Sequence, residues 1–392
     1  MTWLRDVVVP HSDPFVNVMQ PLPTRVALLI LPLEYIVPRF ARTISHWSRK
    51  SKETFMRRSF RTIAAVGAMT AFALTLAGCS TAATTDSTGA AAADEITIAF
   101  VMGAEADPFF QAMKAGAEEE AAKLGVTLIW QGDPANYSAE TQIPIVDAVL
   151  AQQPSGLVLI PTDPTALQSS VSKAVAAGIP VVNVDTHVDD LSDVVSFITG
   201  DNADGGAKAA DALATQIGYE DGGTYQVVVG LTSATATTNV SRLDGFTAQI
   251  EAEYPGIEIA DVAYSESNPE KAATNVNNWL TRFPDLAGIF AIDGTNASGA
   301  AAALESKGLE GTIGLVGYDA YPDNVAKIKS GVFTALIAQD PAAEARLAIQ
   351  TLVEYIKTGE TSTEHEVVIP NVVLDSSTSD DDFAKYTYVA TE

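Results

Sequence analysis

The chain is nearly without cysteine, holding one in 392 residues. That excludes a disulfide framework and any zinc or iron–sulfur site built on cysteine thiolates. Histidine is scarce too, four in all, which leaves little for imidazole-based metal or triad chemistry. Basic side chains are outnumbered: 23 Lys and Arg stand against 49 Asp and Glu, a formal net charge of −26. That balance argues against nucleic-acid binding, because phosphate contacts need clustered Lys and Arg. No Gly-x-Gly occurs, so the dinucleotide fingerprint is absent, as are the phosphate-loop pattern, a Gly-x-Ser-x-Gly elbow and a His-Glu-x-x-His motif. No cofactor and no metal are expected. Apolar residues are abundant, at 47% against 18% charged residues, the balance of a globular chain.

The charge is split. Residues 1–78 hold ten Lys/Arg and four Asp/Glu, leaving 13 basic and 45 acidic side chains for the rest. A basic head on an acidic body suggests a targeting segment. Met56-Arg57-Arg58-Ser59-Phe60-Arg61 is a positive patch, and Ile63 to Ala77 follows as an uncharged, alanine-rich run. Leu76-Ala77-Gly78-Cys79 then resembles a bacterial lipobox, in which the cysteine is lipidated and becomes the first mature residue. The one cysteine stands where lipidation needs it. Residues 56–78 therefore read as a lipoprotein signal peptide, and 79–94, rich in Ala, Thr and Ser, as a flexible tether. The apolar run Val26 to Pro38 is too short to span a bilayer. Residues 1–55 are either an over-extended reading frame or a cytoplasmic extension, and Arg57-Arg58 leaves twin-arginine export open.

From Glu95 onward, strand and helix alternate. Strands are expected at Ile96–Met102, Val126–Trp130, Gly156–Ile160, Ile179–Val184 and Val194–Ile198, then at Tyr225–Val229, Ile257–Tyr264, Ala287–Ile292, Ile313–Tyr318 and Val332–Ala338. One helix opens at Asp107-Pro108 and ends at Gly125, and Ser138 opens another, with Pro144 inside it. Others are expected over Thr165–Ala177, Ala203–Ile217, Val240–Ala252, Glu270–Arg282, Ala297–Lys307 and Pro322–Lys329. The class is α/β, with parallel sheets covered on both faces, and the length implies two lobes. In open parallel sheets ligands bind beyond the carboxyl ends of the strands. Those ends carry Asp107, Trp130, Asp163, Asp185, Leu231, Tyr264, Asp293 and Tyr318-Asp319. Aromatic faces pack on the C–H face of a sugar while Asp accepts from paired hydroxyls, so a sugar or polyol clamp is expected.

At these residues the chain resembles the ribose-type (type I) periplasmic sugar-binding proteins, substrate-binding components of ABC importers. The resemblance begins at Ile98-Ala-Phe-Val-Met-Gly-Ala-Glu-Ala-Asp-Pro-Phe-Phe110 and continues through Leu157–Asp163, Gly178–Asp185, Gly200-Asp-Asn202, Arg242-Leu-Asp-Gly-Phe246, Gly317-Tyr-Asp319 and Ile337-Ala-Gln339. It implies two Rossmann-like lobes joined by three crossovers that hinge shut on a ligand, the first of 95–200 plus 340–367 and the second of 201–339 plus 368–392. It also implies ligand-binding roles for Asp107, Phe109 and Phe110, for the strand-end carboxylate Asp185, and for Arg242. Leu231, Asp293, the aromatic–acid pair Tyr318 and Asp319, and the hinge residue Gln339 complete the match, with Trp130 beside or beneath the site. Gly103, Thr186, Gly200 and Ser267 depart from the ribose pattern, the last standing where that pattern has an aromatic.

The expected function is capture of a sugar or polyol between the lobes and delivery to an ABC permease, by a monomer lipid-anchored on the outer face of the cell membrane. Not an enzyme is the matching expectation, although carboxylate pairs could also serve a glycosidase. The four cleft carboxylates against Arg242 leave a cationic metabolite open as the ligand. A sensor of the same fold presenting its ligand to a membrane receptor is the other alternative. A lactose-repressor-type regulator is disfavoured by the signal-like head and the lack of a basic helix-turn-helix.

Overall fold

The computed structural model describes residues 95–389. Residues 1–55, the signal-like segment 56–78, Cys79 and the tether to 94 lie outside the described residues. The first sheet is built from β1 (Thr97–Met102), β2 (Thr127–Gly132), β3 (Gly156–Leu159), β4 (Val181–Val184) and β5 (Ser196–Gly200), with α1 (Pro108–Leu124), α2 (Ala139–Leu150) and α3 (Gln168–Ala176) between them. The chain then crosses to a second sheet through α4 (Asn202–Gln216). That sheet takes β6 (Tyr225–Leu231), β7 (Ile257–Tyr264), β8 (Leu286–Ala291), β9 (Gly314–Tyr318) and β10 (Ala335–Ala338). Helices α5 (Thr237–Glu253), α6 (Pro269–Arg282), α7 (Gly294–Lys307) and α8 (Pro322–Lys329) separate these strands.

Sheet order is β11-β5-β4-β3-β1-β2 in the first lobe and β12-β10-β9-β8-β6-β7 in the second. The two orders are the same, although the halves share no sequence repeat. Every pairing is parallel except β10 with β12. Strands β3 and β4 are buried at each residue, which is why they read as unbroken apolar runs rather than as alternating ones.

The sixth strand of each sheet comes from the end of the chain. Helix α9 (Pro341–Thr358) returns to pack on α1, β11 (Glu366–Ile369) joins β5, and β12 (Val372–Asp375) joins β10 before α10 (Asp380–Tyr386). The sequence expectations name no helix after Lys329, yet Asp340-Pro341 repeats the opening of α1: Asp340 accepts from the Ala343 N–H, and Gly359 ends the helix at φ 79°. The third crossing runs through Pro370-Asn371, just after β11, whereas a boundary at 367/368 would cut that strand. Helix starts set the rest of the register. Asp107 caps α1, Asn268 caps α6 and Asp293 caps α7, each side chain accepting a backbone N–H of the first turn.

Candidate functional site

The carboxyl ends of both sheets face one cavity of about 50 Å³. It lies beyond the carboxyl ends of the neighbouring strands β1 and β3 and of β6 and β8, the switch point of each sheet, where the connections leave to opposite sides. Asp107, Phe109, Phe110 and Asp185 form its wall in the first lobe, and Arg242, Asp293, Asp319 and Gln339 line it from the second lobe and the crossing. Phe109 and Phe110 are both buried and meet edge to face, ring centroids 5.3 Å apart. The lobes are closed on one another: Tyr321 and Thr295 of the second lobe both donate to Asp107, the latter at 3.1 Å.

Three other residues named from the sequence stand outside the cavity walls. Leu231 is 1% exposed and belongs to the second lobe's core, because β6 runs to that residue and turns its side chain inward. Thr232, one residue on, faces the cavity instead. Tyr318 is fully buried behind Arg242, whose guanidinium sits 3.8 Å from the ring centroid. Trp130 packs on Phe100 at 4.6 Å beneath the sheet end. Tyr137, Thr238, Asn239, Ser267 and Tyr321 line the cavity and were not named as ligand-binding from the sequence. Ser267 was noted as a departure from the pattern. The others sit on loops and helix starts, where neither periodicity nor a strand end marks them. Tyr388 reaches the same region from the far end of the chain, its ring 6.0 Å from Phe109 and 6.0 Å from Tyr321.

Arg242 is 2% exposed and held in place by donation from Nε to Asn202 Oδ1 at 2.7 Å and from Nη1 to the Ile292 carbonyl at 3.1 Å. Among the described residues these two bonds leave further N–H groups of the guanidinium at the cavity. Asp319 accepts from the Gly294 N–H at 2.9 Å, from Gln339 Nε2 at 2.8 Å and from the Tyr388 hydroxyl at 3.0 Å. Asp293 caps α7 and also accepts from Thr232 Oγ1 and Asn296 Nδ2. Asp107 caps α1 and takes the two hydroxyls already named. Asp185 differs: among the described residues its carboxylate accepts no hydrogen bond.

Burial is the first cause acting on these acids. It pushes Asp185 up to about 7, opposed by the Arg242 charge and helped by Asp319 and Asp107. It pushes Asp107 up to about 6, against the lowering effect of its bonds from Tyr321 and Phe109. Asp293 is raised for the same reason. Behind the cavity, Glu344 on α9 is fully buried, neither of its oxygens has a partner among the described residues, and burial holds it well above the usual range. Among the described residues no three His, Cys, Asp or Glu side chains converge as metal ligands would.

Two lobes of mostly parallel sheet, three crossings and a polar cavity between them define a two-lobed small-molecule binding protein. Residues 98–361 match the periplasmic binding protein domain family, and the chain belongs to that family. It is 30% identical to the ribose import binding protein RbsB of Bacillus subtilis over 256 residues, 65% of this chain and 80% of that one. It is 29% identical to the D-allose-binding periplasmic protein of Escherichia coli over 282 residues, covering 70% and 88%. Among solved structures, an ABC transporter solute-binding protein of Agrobacterium vitis bound with α-D-tagatopyranose superposes with a TM-score of 0.71 at 31% identity. That likeness covers 75% of this chain and all of the other.

Proposed function

We propose that this chain is the extracytoplasmic substrate-binding component of an ABC importer, lipid-anchored through Cys79, and that it captures a neutral sugar or polyol. The carrying observation is the hydrogen-bond balance of the cavity. Asp107, Asp293 and Asp319 spend their oxygens on protein donors, so their charge is already dispersed. What faces the ligand is the spare donor set of Arg242, the open acceptor Asp185 and the faces of two phenylalanines. That set matches vicinal hydroxyls and a C–H face. A cation would meet Arg242 at close range, which disfavours the cationic reading.

The ribose, allose and tagatose relatives support a carbohydrate ligand. Contacts divided between Asp185 of one lobe and Arg242 of the other favour the closed state when ligand is present, which is the population shift an importer needs for delivery to its permease. Titration calorimetry of the purified protein against pentoses, hexoses, polyols, inositols and cationic metabolites tests this. One neutral compound should bind tightly. A hit confined to the cations would remove the carbohydrate reading.

A further inference from the structure

Outside the site cavity, at the mouth of the cleft, lies a second and larger space of about 440 Å³. Its walls come from both lobes, so approach of the lobes forms it. The apolar part of the wall is Pro108, Pro134 and Ala135 of the first lobe and Pro269 and Pro322 of the second, with Thr295, Ser298 and Asp323 of the second lobe beside them. The proline and alanine side chains offer no hydrogen-bonding groups and, being rigid, lose almost no rotamer freedom when covered. A hydroxyl placed against them would give up water without a replacement.

The two spaces share walls: Asp107, Ser267 and Tyr321 border both. Ser267 is the small member of that boundary. It follows Glu266 in a pair of left-handed residues, φ 55° and 53°, which sets the loop before α6 at the edge of the cavity. With serine there, no bulky side chain stands between the two spaces on that side. Asp107 and Tyr321 are bonded to each other across the cleft and form the opposite edge.

We propose that the cavity and its vestibule together bind a substituted sugar, a glycoside whose ring lies among Arg242, Asp185 and the phenylalanines and whose apolar aglycone lies against the prolines. This rests on the carbohydrate reading above and names its ligand class. The test is calorimetry of the full chain on matched sets: free monosaccharides, both anomers of their butyl and phenyl glycosides, and disaccharides of the same ring. For the ring that binds, a butyl or phenyl glycoside should bind at least tenfold tighter than the free sugar. Ala135→Asp, on an exposed loop that lines the vestibule alone, should weaken the glycoside at least fivefold and leave the free sugar within twofold. Ser267→Phe should bring the ratio of glycoside to free-sugar affinity close to one. A free sugar that binds as tightly as its glycosides would overturn the vestibule while leaving the carbohydrate reading intact. Tighter binding of a disaccharide would overturn the apolar aglycone. Silence from every sugar, free and substituted, would overturn the carbohydrate reading and the vestibule with it.

Discussion

Asp185 and Asp319 are counterparts in the two lobes. Each follows the fourth strand of its lobe, β4 or β9, and each turns into the left-handed region, at φ 60° and 66°. Each donates its backbone N–H to the neighbouring strand, Asp185 to Ile198 and Asp319 to Ile337, both at 2.8 Å. Aspartate tolerates that conformation better than most residues, so the same chemistry fits the same backbone twice. Their surroundings then diverge. Asp319 is clamped by three donors, from α7, the crossing residue Gln339 and the tail residue Tyr388. Asp185 meets none among the described residues. The second lobe thus carries a pre-organised wall, while the first offers an acceptor that the ligand itself must satisfy.

The largest break in that comparison is expected from Asp319→Ala. Removing the carboxylate strands the Gly294 N–H, Gln339 Nε2 and the Tyr388 hydroxyl in a buried setting. Each unsatisfied buried donor costs about 1–3 kcal/mol. Binding should fall by at least about 100-fold, and chemical denaturation should show a loss of several kcal/mol in stability, on the order of 3. Next comes Asp185→Asn, which keeps the shape and removes no protein hydrogen bond. Its affinity should drop by about 10- to 100-fold, the weight of a charge-assisted pair of bonds, while stability stays within about 1 kcal/mol. A loss of stability as large as that of Asp319→Ala would dissolve the distinction between the two lobes.

How far the site could be read from the sequence follows from the same contrast. Asp185, Asp293 and Asp319 sit one or two residues past apolar strands, and the strand-end rule finds such positions without any coordinates. Phe109 and Phe110 were legible through the resemblance of the segment Ile98–Phe110, since helical spacing alone would place Phe110 in the core. Leu231 was misplaced by one residue because β6 continues two residues beyond Val229, and a single step along a strand exchanges core for cleft. Tyr321 and Tyr388 left no local signal: their part depends on closure of the lobes and on the return of the chain's end. Helix α9 is the opposite case, since its cap, proline and closing glycine were all in the sequence. The lobe architecture was legible because alternation is a local property, whereas the third crossing depends on β11 and β12, four residues each, too short to carry a period.

A smaller effect should appear in the pH dependence of the ligand-free protein. Asp107 and Asp185 are raised from 3.8 to about 6 and about 7, and Glu344 is raised as well. Well below pH 3.8 the two aspartates are protonated in both states and contribute nothing. As pH rises from there, the unfolded chain gives up protons that the folded one retains, so these groups lower stability progressively until they ionise in the fold as well. The ligand-free protein should therefore melt higher at about pH 5 than at about pH 8. Asp185→Asn should flatten the upper part of that slope. Thermal unfolding across this range checks it, and a slope of opposite sign would mean that the acids are ionised in the fold.

The smallest expected change separates the wall of the site from its backing. Tyr318 lies under Arg242 and out of the cavity, and its hydroxyl accepts from Asn371 Nδ2 at 2.6 Å in the third crossing. Gly205 on α4 permits this approach, since a Cβ there would stand 2.0 Å from the Tyr318 oxygen. Tyr318→Phe keeps the ring beneath the guanidinium and removes one buried bond, while Asn371 retains its donation to the Asp201 carbonyl at 2.8 Å. Stability should fall by about 1 kcal/mol and ligand affinity should stay within about threefold. Phe109→Ala, which strips the wall itself, should cost affinity about tenfold or more. If the tyrosine variant instead lost affinity to the same degree, its hydroxyl would have to act through the position of Arg242. The backing of the second lobe would then be as much a part of recognition as the open carboxylate of the first.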